Sequence, residues 1–388
     1  MELKMLFCAR NTEITAEHIF PDAIEISYGF PVTPQFRAIN FKDSFCEFLE
    51  QRDNISRVNK LRRSFRLNTS LLDSTIEFQL KFNRASRNKP LFITAKINPV
   101  GIHNNLEGYR LRRSRTDEQP FVAANNYIRA CDPVSSNDLQ DLAHLCVSIL
   151  NSELCEVVGD FFAENGGITI NGADVYVRLV ELATDMVDVN PTAVVDLLEA
   201  NFPSVFKTTI KRKFHSSFMR SGTERNVKFV EGHHSNGIRA KGYEKTNRRF
   251  RAELQISSKA FRRLGLQNQL MGEEFSDFFQ SLYQVAIPIF RQFLTPLEDV
   301  HDDISIYSDM ELLAEMVAGC QPRYAAAFIN RLVSNGSIPW NYAQTLRSRL
   351  VRIGVMERPS RGIYRATVPY RSALLRLNEV LNSVDEAA

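Results

Sequence analysis

The stretch IRAKGYEKTNRRFRAELQI, running from Ile238 to Ile256, decides how this chain is read. Its first half alternates with period two, so Arg239, Lys241, Tyr243 and Lys245 fall on one face of a strand spanning about Ile238–Lys245. Thr246 and Asn247 then supply a tight hairpin. In the returning strand, about Arg248–Ile256, Arg249, Arg251, Glu253 and Gln255 share one face, while Phe250, Ala252, Leu254 and Ile256 form an apolar face that must pack on a core. The pattern predicts an antiparallel pair with one buried side and one charged side.

Working outward, Ser74–Asn83 and Pro90–Asn98 alternate in the same way and read as half-buried strands, the second ended by Pro99 and Gly101. A helix is expected over about Asn137–Leu150, where Leu139, Leu142, Leu145, Cys146, Ile149 and Leu150 form a stripe capped by Ser136 or Asn137. Ala173–Asp185 is rich in Val and Leu on both faces, as a central strand would be, and Asn190-Pro191 opens a helix that runs to Asn201. From Glu273 onward helical spacing dominates, and Thr295–Ser308, with Pro296 and several Asp, reads as a linker. The expected fold class is α+β: an antiparallel or mixed β-sheet domain packed with helices over residues 1–300, followed over 301–388 by a mostly helical, winged helix-turn-helix-like domain. A chain of 388 residues is long enough for two cores.

Hydrophobic residues at 44% and charged residues at 24% are the balance of a globular protein, not of a fibre or a disordered tail. No membrane span and no secretory leader is expected from the apolar runs or from Met1–Arg10. The six cysteines have no CxxC spacing and signal neither a zinc cage nor a disulfide framework. A net charge of +3 says little, but basic residues gather at Arg57–Arg66, Arg110–Arg115, Lys207–Lys213, Arg239–Arg251 and Arg347–Arg361.

A phenol has a pKa near 10 and is a poor nucleophile at neutral pH, so attack on a phosphate needs positive charge or a metal beside it. Lys245, two residues from Tyr243, stands on the correct face for this, and Arg239, Lys241, Arg249 and Arg251 suit phosphate binding. Glu181 and Glu253 offer hard oxygen ligands of the kind that hold Mg2+ or Mn2+. A strand tyrosine is more often a packing residue, and a glutamate among arginines is usually an ion pair, so the pattern alone leaves both readings open. His233 and His234 are adjacent and give no ligand geometry.

Tyr243-Glu-Lys245, then Phe250-Arg-Ala-Glu253, then the basic turn from Lys259 to Leu266, resemble in order the gene II type replication initiators of filamentous phages. In that family a Tyr-x-Lys strand carries the nicking tyrosine and is followed by a strand reading Arg-x-Glu; Tyr243, Lys245 and Glu253 take those places. His103-Asn104 after the strand ending in Pro99 looks like the family's His-Asn turn with one residue inserted, which makes His103 a further metal candidate. The family's Arg-Ile-Asp strand is matched by Arg178-Leu-Val-Glu181, where Glu replaces Asp one position later, with Asp185 on the same strand face as the reserve ligand. The resemblance implies a rolling-circle replication endonuclease of the host bacterial cytoplasm. Such an enzyme nicks one strand of a supercoiled double-stranded origin through a phosphotyrosine link and rejoins the displaced single strand into a circle. Host helicase and polymerase are the implied protein partners.

In the C-terminal unit, helices are expected at Met310–Val317, Arg323–Ser334, Asn341–Ile353 and Tyr370–Val384, with Gly354–Arg365 as two wing strands. Arg347, Arg349 and Arg361 are its candidate DNA contacts. The rival reading is a non-catalytic, sequence-specific DNA-binding regulator that has no need of Tyr243.

Overall fold

The computed structural model describes residues 6–8, 14–30, 41–69, 72, 74–82, 91–108, 128, 134–165, 173–187, 189–208, 215–218, 224–227, 229–246, 248–267, 269–270, 274–297, 309–318, 320–360, 362–367 and 370–387. Its strands are β1 (Leu6–Cys8), β2 (Phe20–Phe30), β3 (Ile55–Asn59), β4 (Ser64–Thr69), β5 (Ser74–Phe82), β6 (Leu91–Ile97), β7 (Asp174–Val187), β8 (Lys207–Thr208), β9 (His215–Phe218), β10 (Glu224–Val227), β11 (Phe229–Ser235), β12 (Ile238–Thr246), β13 (Arg249–Ser257), β14 (Gln269–Leu270), β15 (Ile338–Pro339), β16 (Met356–Ser360) and β17 (Ile363–Ala366). The α-helices are α1 (Phe41–Glu50), α2 (Pro99–Leu106), α3 (Ser136–Glu164), α4 (Pro191–Ala200), α5 (Ser258–Phe261), α6 (Glu274–Leu294), α7 (Asp309–Val317), α8 (Pro322–Asn335), α9 (Gln344–Arg352) and α10 (Arg371–Ala387).

Among the described residues the main sheet runs β3-β4-β5-β6-β2-β7-β13-β12-β11-β8, with β1 and β14 added to the two ends of β7. Every pairing in it is antiparallel except that of β1 with β7. The fold is therefore the expected α+β class with a large antiparallel sheet and a helical C-terminal part. The long strand β7 lies in the middle, between β2 and β13. Its apolar character on both faces follows from that position, because helices cover one side and part of the other side is closed as well.

One face of the sheet carries the main core. Ile24, Ile26 and Tyr28 of β2, Val177, Val180 and Leu182 of β7, and Phe250, Leu254 and Ile256 of β13 are all buried there with α1, α3, α4 and α6. Helix α4 begins as expected: Pro191 occupies its first turn and the Asn190 side chain accepts from the Ala193 backbone N–H. Helix α3 is capped by Ser135, not by Ser136 or Asn137 as expected, with Ser135 and Asp138 forming a reciprocal capping box, and it runs on to Glu164, well beyond Leu150. Its stripe continues through Leu154, Val157, Val158 and Phe161, all buried. By length and apolar content α3 could cross a membrane; in this fold those residues belong to the sheet's core.

Strand β12 keeps its core-facing side small, with Ala240 and Gly242 facing the rings of α6 and β13. A Cβ added at Gly242 would stand 2.6 Å from Phe250 Cζ and 3.2 Å from Phe293 Cε1, so this glycine is required by close approach. Gly242→Ala is expected to destabilise the protein by about 1–3 kcal/mol, read as a lower urea midpoint.

The C-terminal residues have a core of their own, built from Leu312 and Met316 of α7, Phe328, Ile329 and Leu332 of α8, Leu346 and Leu350 of α9, and Leu374 and Leu377 of α10. The expected wing is present as the antiparallel pair β16 and β17, and a third short strand, β15, adds to β17. The expected linker lies largely outside the described residues, of which only the short 3-10 turn Thr295–Leu297 belongs to it.

Candidate active site on the charged face of the sheet

The register across β12, β13 and β7 puts Tyr243 opposite Arg251 and Asp185, Lys241 opposite Glu253, and Arg239 opposite Gln255 and Glu181. These residues therefore share the face away from the main core. The register slips between Glu244 and Thr246, leaving Lys245 at a bulge, with its ammonium 5.8 Å from the centre of the Tyr243 ring.

The Tyr243 hydroxyl donates a hydrogen bond to Glu253 Oε1. Lys241 Nζ lies 3.7 Å from the second carboxylate oxygen and 4.4 Å from the centre of the tyrosine ring. Tyr243 is only 7% exposed. Burial raises its pKa well above the usual value, and the Glu253 charge raises it further, so the resting group is a neutral phenol. Burial also works against ionisation of Glu253, but Lys241, Arg251 and the tyrosine hydrogen bond outweigh it and hold that carboxyl below its usual range. The pair is thus a phenol donating to a carboxylate.

Behind them lies a fully buried charge network. Arg251 contacts both oxygens of Asp185 at 2.6 and 2.8 Å and reaches Asp22 Oδ1 at 2.7 Å, while Arg249 contacts Asp185 at 2.9 Å. Burial alone would raise the Asp185 pKa; the two guanidiniums reverse this and hold it at about 2. Burial pushes Asp22 up to about 6 against the pull of Arg251. It brings Lys245 down to about 7, aided by the Arg251 charge and opposed by Asp22, Glu253 and Asp185. A small separate apolar cluster, including Phe20, Val100, Leu139 and Ala183, sits on this side of the sheet, and the Arg251 guanidinium lies 5.2 Å from the Phe20 ring.

Several expectations are corrected here. Arg249 and Arg251 have no exposed surface and are committed to Asp185 and Asp22, so they are internal ion pairs and not DNA contacts. Asp185 is likewise saturated by the two arginines and cannot serve as a reserve metal ligand. Glu181 accepts from Lys96 Nζ and from Gln255, each at 3.0 Å, while Glu253 is held by Tyr243 and Lys241. His103 lies within α2, not in a turn. Among the described residues no three His, Cys, Asp or Glu side chains gather as a cation site. The four expected ligands Glu181, Glu253, Asp185 and His103 therefore do not fit Mg2+ or Mn2+ as one set, because each carboxylate is already matched to cationic or amide donors.

The row of cations on β12 is also less bare than its sequence suggests, since Arg239 bonds Glu231 at 3.0 Å as well as Gln255. Elsewhere on the sheet Arg66 meets Glu77 and Arg178 approaches Glu25. In the C-terminal part Arg347 is 5% exposed and lies 4.4 Å over the Tyr364 ring, and Arg349 is paired with Glu315 on α7. Neither is placed as a freely presented DNA contact. Arg361 lies outside the described residues.

Asp22 was not singled out by the sequence. Its only local signal is a carboxylate between Pro21 and Ala23 at the start of the strand Phe20–Phe30, and its partner Arg251 lies 229 residues away along the chain.

In comparisons with known proteins, no family model and no curated protein matches the chain. Among solved structures it is similar to Methanococcus jannaschii TBP, with 8% identity and a TM-score of 0.29 over 73% of this chain and 99% of that one. It is similar to a rolling circle replication initiator protein from Geobacillus stearothermophilus, with 9% identity and a TM-score of 0.28 over 70% of this chain and 97% of that one. A third likeness is to the di-domain ARO/CYC BexL of the BE-7585A biosynthetic pathway, at 8% identity and a TM-score of 0.18, over 71% of this chain and 97% of that one. TM-scores this low do not establish a shared fold.

Proposed function

We propose that the chain is a rolling-circle replication initiator that nicks one strand of a double-stranded origin and later rejoins the displaced strand, with Tyr243 as the nucleophile. The observation that carries this reading is the tyrosine hydroxyl bonded to Glu253 between two lysines. A tyrosine kept for packing alone has no need of a carboxylate acceptor on its hydroxyl and an ammonium over its ring.

In this reading Tyr243 Oη attacks the phosphorus of a phosphodiester and its proton passes to Glu253. The bond from phosphorus to the 3′ oxygen breaks and that oxygen takes a proton from solvent water, leaving a 3′ hydroxyl as primer and the 5′ phosphate on the tyrosine. Lys241 and Lys245 supply positive charge where the phosphorane and leaving oxygen become negative. Rejoining is the reverse step with a new 3′ hydroxyl. The phosphotyrosine retains the energy of the original bond, so no ATP is consumed, in keeping with a sequence that has no GxxxxGK[ST] loop. Origin DNA, the single-stranded product and a host helicase and polymerase in a bacterial cytoplasm are the partners this reading assigns.

The test is a denaturing gel of the full chain incubated with 3′-labelled single-stranded DNA of random sequence and with supercoiled plasmid, in Mg2+, in Mn2+ and in EDTA. Label retained on the protein supports the proposal, and the three conditions report whether a cation is needed. Label absent from the protein under all three, with DNA still bound, favours the regulator reading instead.

A further inference from the structure

The one tryptophan of the chain stands on the surface of the C-terminal part. Trp340 is 62% exposed, and it follows directly on β15 at the turn end of the β16–β17 hairpin. Its backbone N–H donates to the Gly362 carbonyl at 2.9 Å, and a Cβ on Gly362, whose φ is +84°, would come 3.4 Å from the indole. Pro339 pairs with Ile363, itself 45% exposed, so the indole, a proline and an isoleucine make an apolar tip. A large aromatic left in water beside further apolar surface marks a contact site.

What covers it is indicated by charge. Between Met316 and Asn378 the chain has ten arginines and a single acidic residue, Glu357, with no lysine. Arg323, Arg331, Arg352, Arg358 and Arg371 are exposed, Arg365 is exposed but paired with Glu357, and Arg358 lies 5.9 Å from the Tyr364 ring beside the hairpin. Such a surface repels a second copy of itself and suits a polyanion. Arg347 and Arg349 are tied to Tyr364 and Glu315, so of helix α9 only its last residue, Arg352, belongs to this surface.

We propose that Trp340 stacks on unpaired bases of single-stranded DNA while exposed arginines of the C-terminal part hold its phosphates. A free aromatic plane gains from a base only where that base is unstacked, whereas duplex phosphates can be held by arginines without it. The site needs no chemistry at Tyr243 and stands or falls apart from the nicking reaction.

Since Trp340 is the sole tryptophan, intrinsic indole fluorescence of the full chain reports this site alone. Titration in EDTA with an oligothymidylate is expected to quench it, and a duplex of equal length to quench it far less. With labelled oligothymidylate, Trp340→Ala is expected to weaken binding by roughly 5- to 150-fold, and Trp340→Phe to restore most of the affinity. Absence of quenching overturns the proposal, as does Trp340→Ala binding within about twofold of wild type. Fluorescence that changes with protein concentration and not with DNA also overturns it, in favour of self-association. The exposed position leaves folding intact, which an unchanged urea midpoint verifies.

Discussion

Asp185→Ala is expected to destabilise the protein by roughly 3–5 kcal/mol, because it strips the shared carboxylate from two arginines that have no exposed surface. Arg251 would keep Asp22, but Arg249 would lose the partner it holds at 2.9 Å. The effect carries a pH signature. Asp185 titrates at about 2 in the fold against 3.8 for an ordinary aspartate. Its contribution is therefore fully present above about pH 4 and is lost as the pH falls through about 2. Urea midpoints of wild type and variant should differ widely at pH 7 and converge as acid protonates the wild-type carboxyl. A variant within about 0.5 kcal/mol of wild type at pH 7 would mean that the network is not a closed, buried unit.

Tyr243→Phe removes the attacking oxygen and is expected to reduce covalent adduct formation by more than about 10³-fold, to below detection on a denaturing gel. Glu253→Gln probes the second half of the pair. Glutamine can still accept from the hydroxyl but cannot take its proton, so the adduct should form about 10²–10⁴-fold more slowly. The tyrosine's own pKa should fall in that variant, because the Glu253 charge is one of the causes that raise it. The two variants separate the roles. If Glu253→Gln forms adduct at the wild-type rate while Tyr243→Phe forms none, the tyrosine is the nucleophile and another group accepts its proton. If Tyr243→Phe still forms adduct, the assignment of the nucleophile fails.

The hairpin of β12 and β13 was legible because two residue classes alternate through it without interruption, and the apolar set Phe250, Ala252, Leu254 and Ile256 is buried as that alternation requires. Strand β7 and helix α4 were legible for similarly local reasons, a run of β-branched residues and an Asn-Pro start. Helix α3 runs past Leu150 because its apolar stripe continues through Leu154, Val157, Val158 and Phe161, with Glu153, Glu156 and Asp160 on its flank making that continuation less plain in sequence. Strand β2 alternates over Ile24, Ile26, Tyr28 and Phe30 against Glu25, Ser27 and Gly29, but Pro21 and Asp22 hide the start of its pairing with β7. In the site, period two placed Tyr243, Lys245 and Glu253 on one face. It could not show that Arg249 and Arg251 are consumed by Asp185, because that depends on the register between β13 and β7, more than sixty residues apart in the chain. A cation on a strand face looks the same in sequence whether it meets water or a carboxylate.

The uneven placement of arginine has a consequence for how a long polyanion would be captured. The chain's excess of three positive charges divides as two over residues 1–300 and one over residues 301–388, but within the latter ten arginines and one glutamate fall between Met316 and Asn378 while the other eight carboxylates lie outside that stretch. At a distance neither part attracts phosphate strongly, but at close range the arginine-rich stretch does so. Tethering would fall to one end of the polypeptide, and cleavage would wait until the tethered strand is delivered to the other.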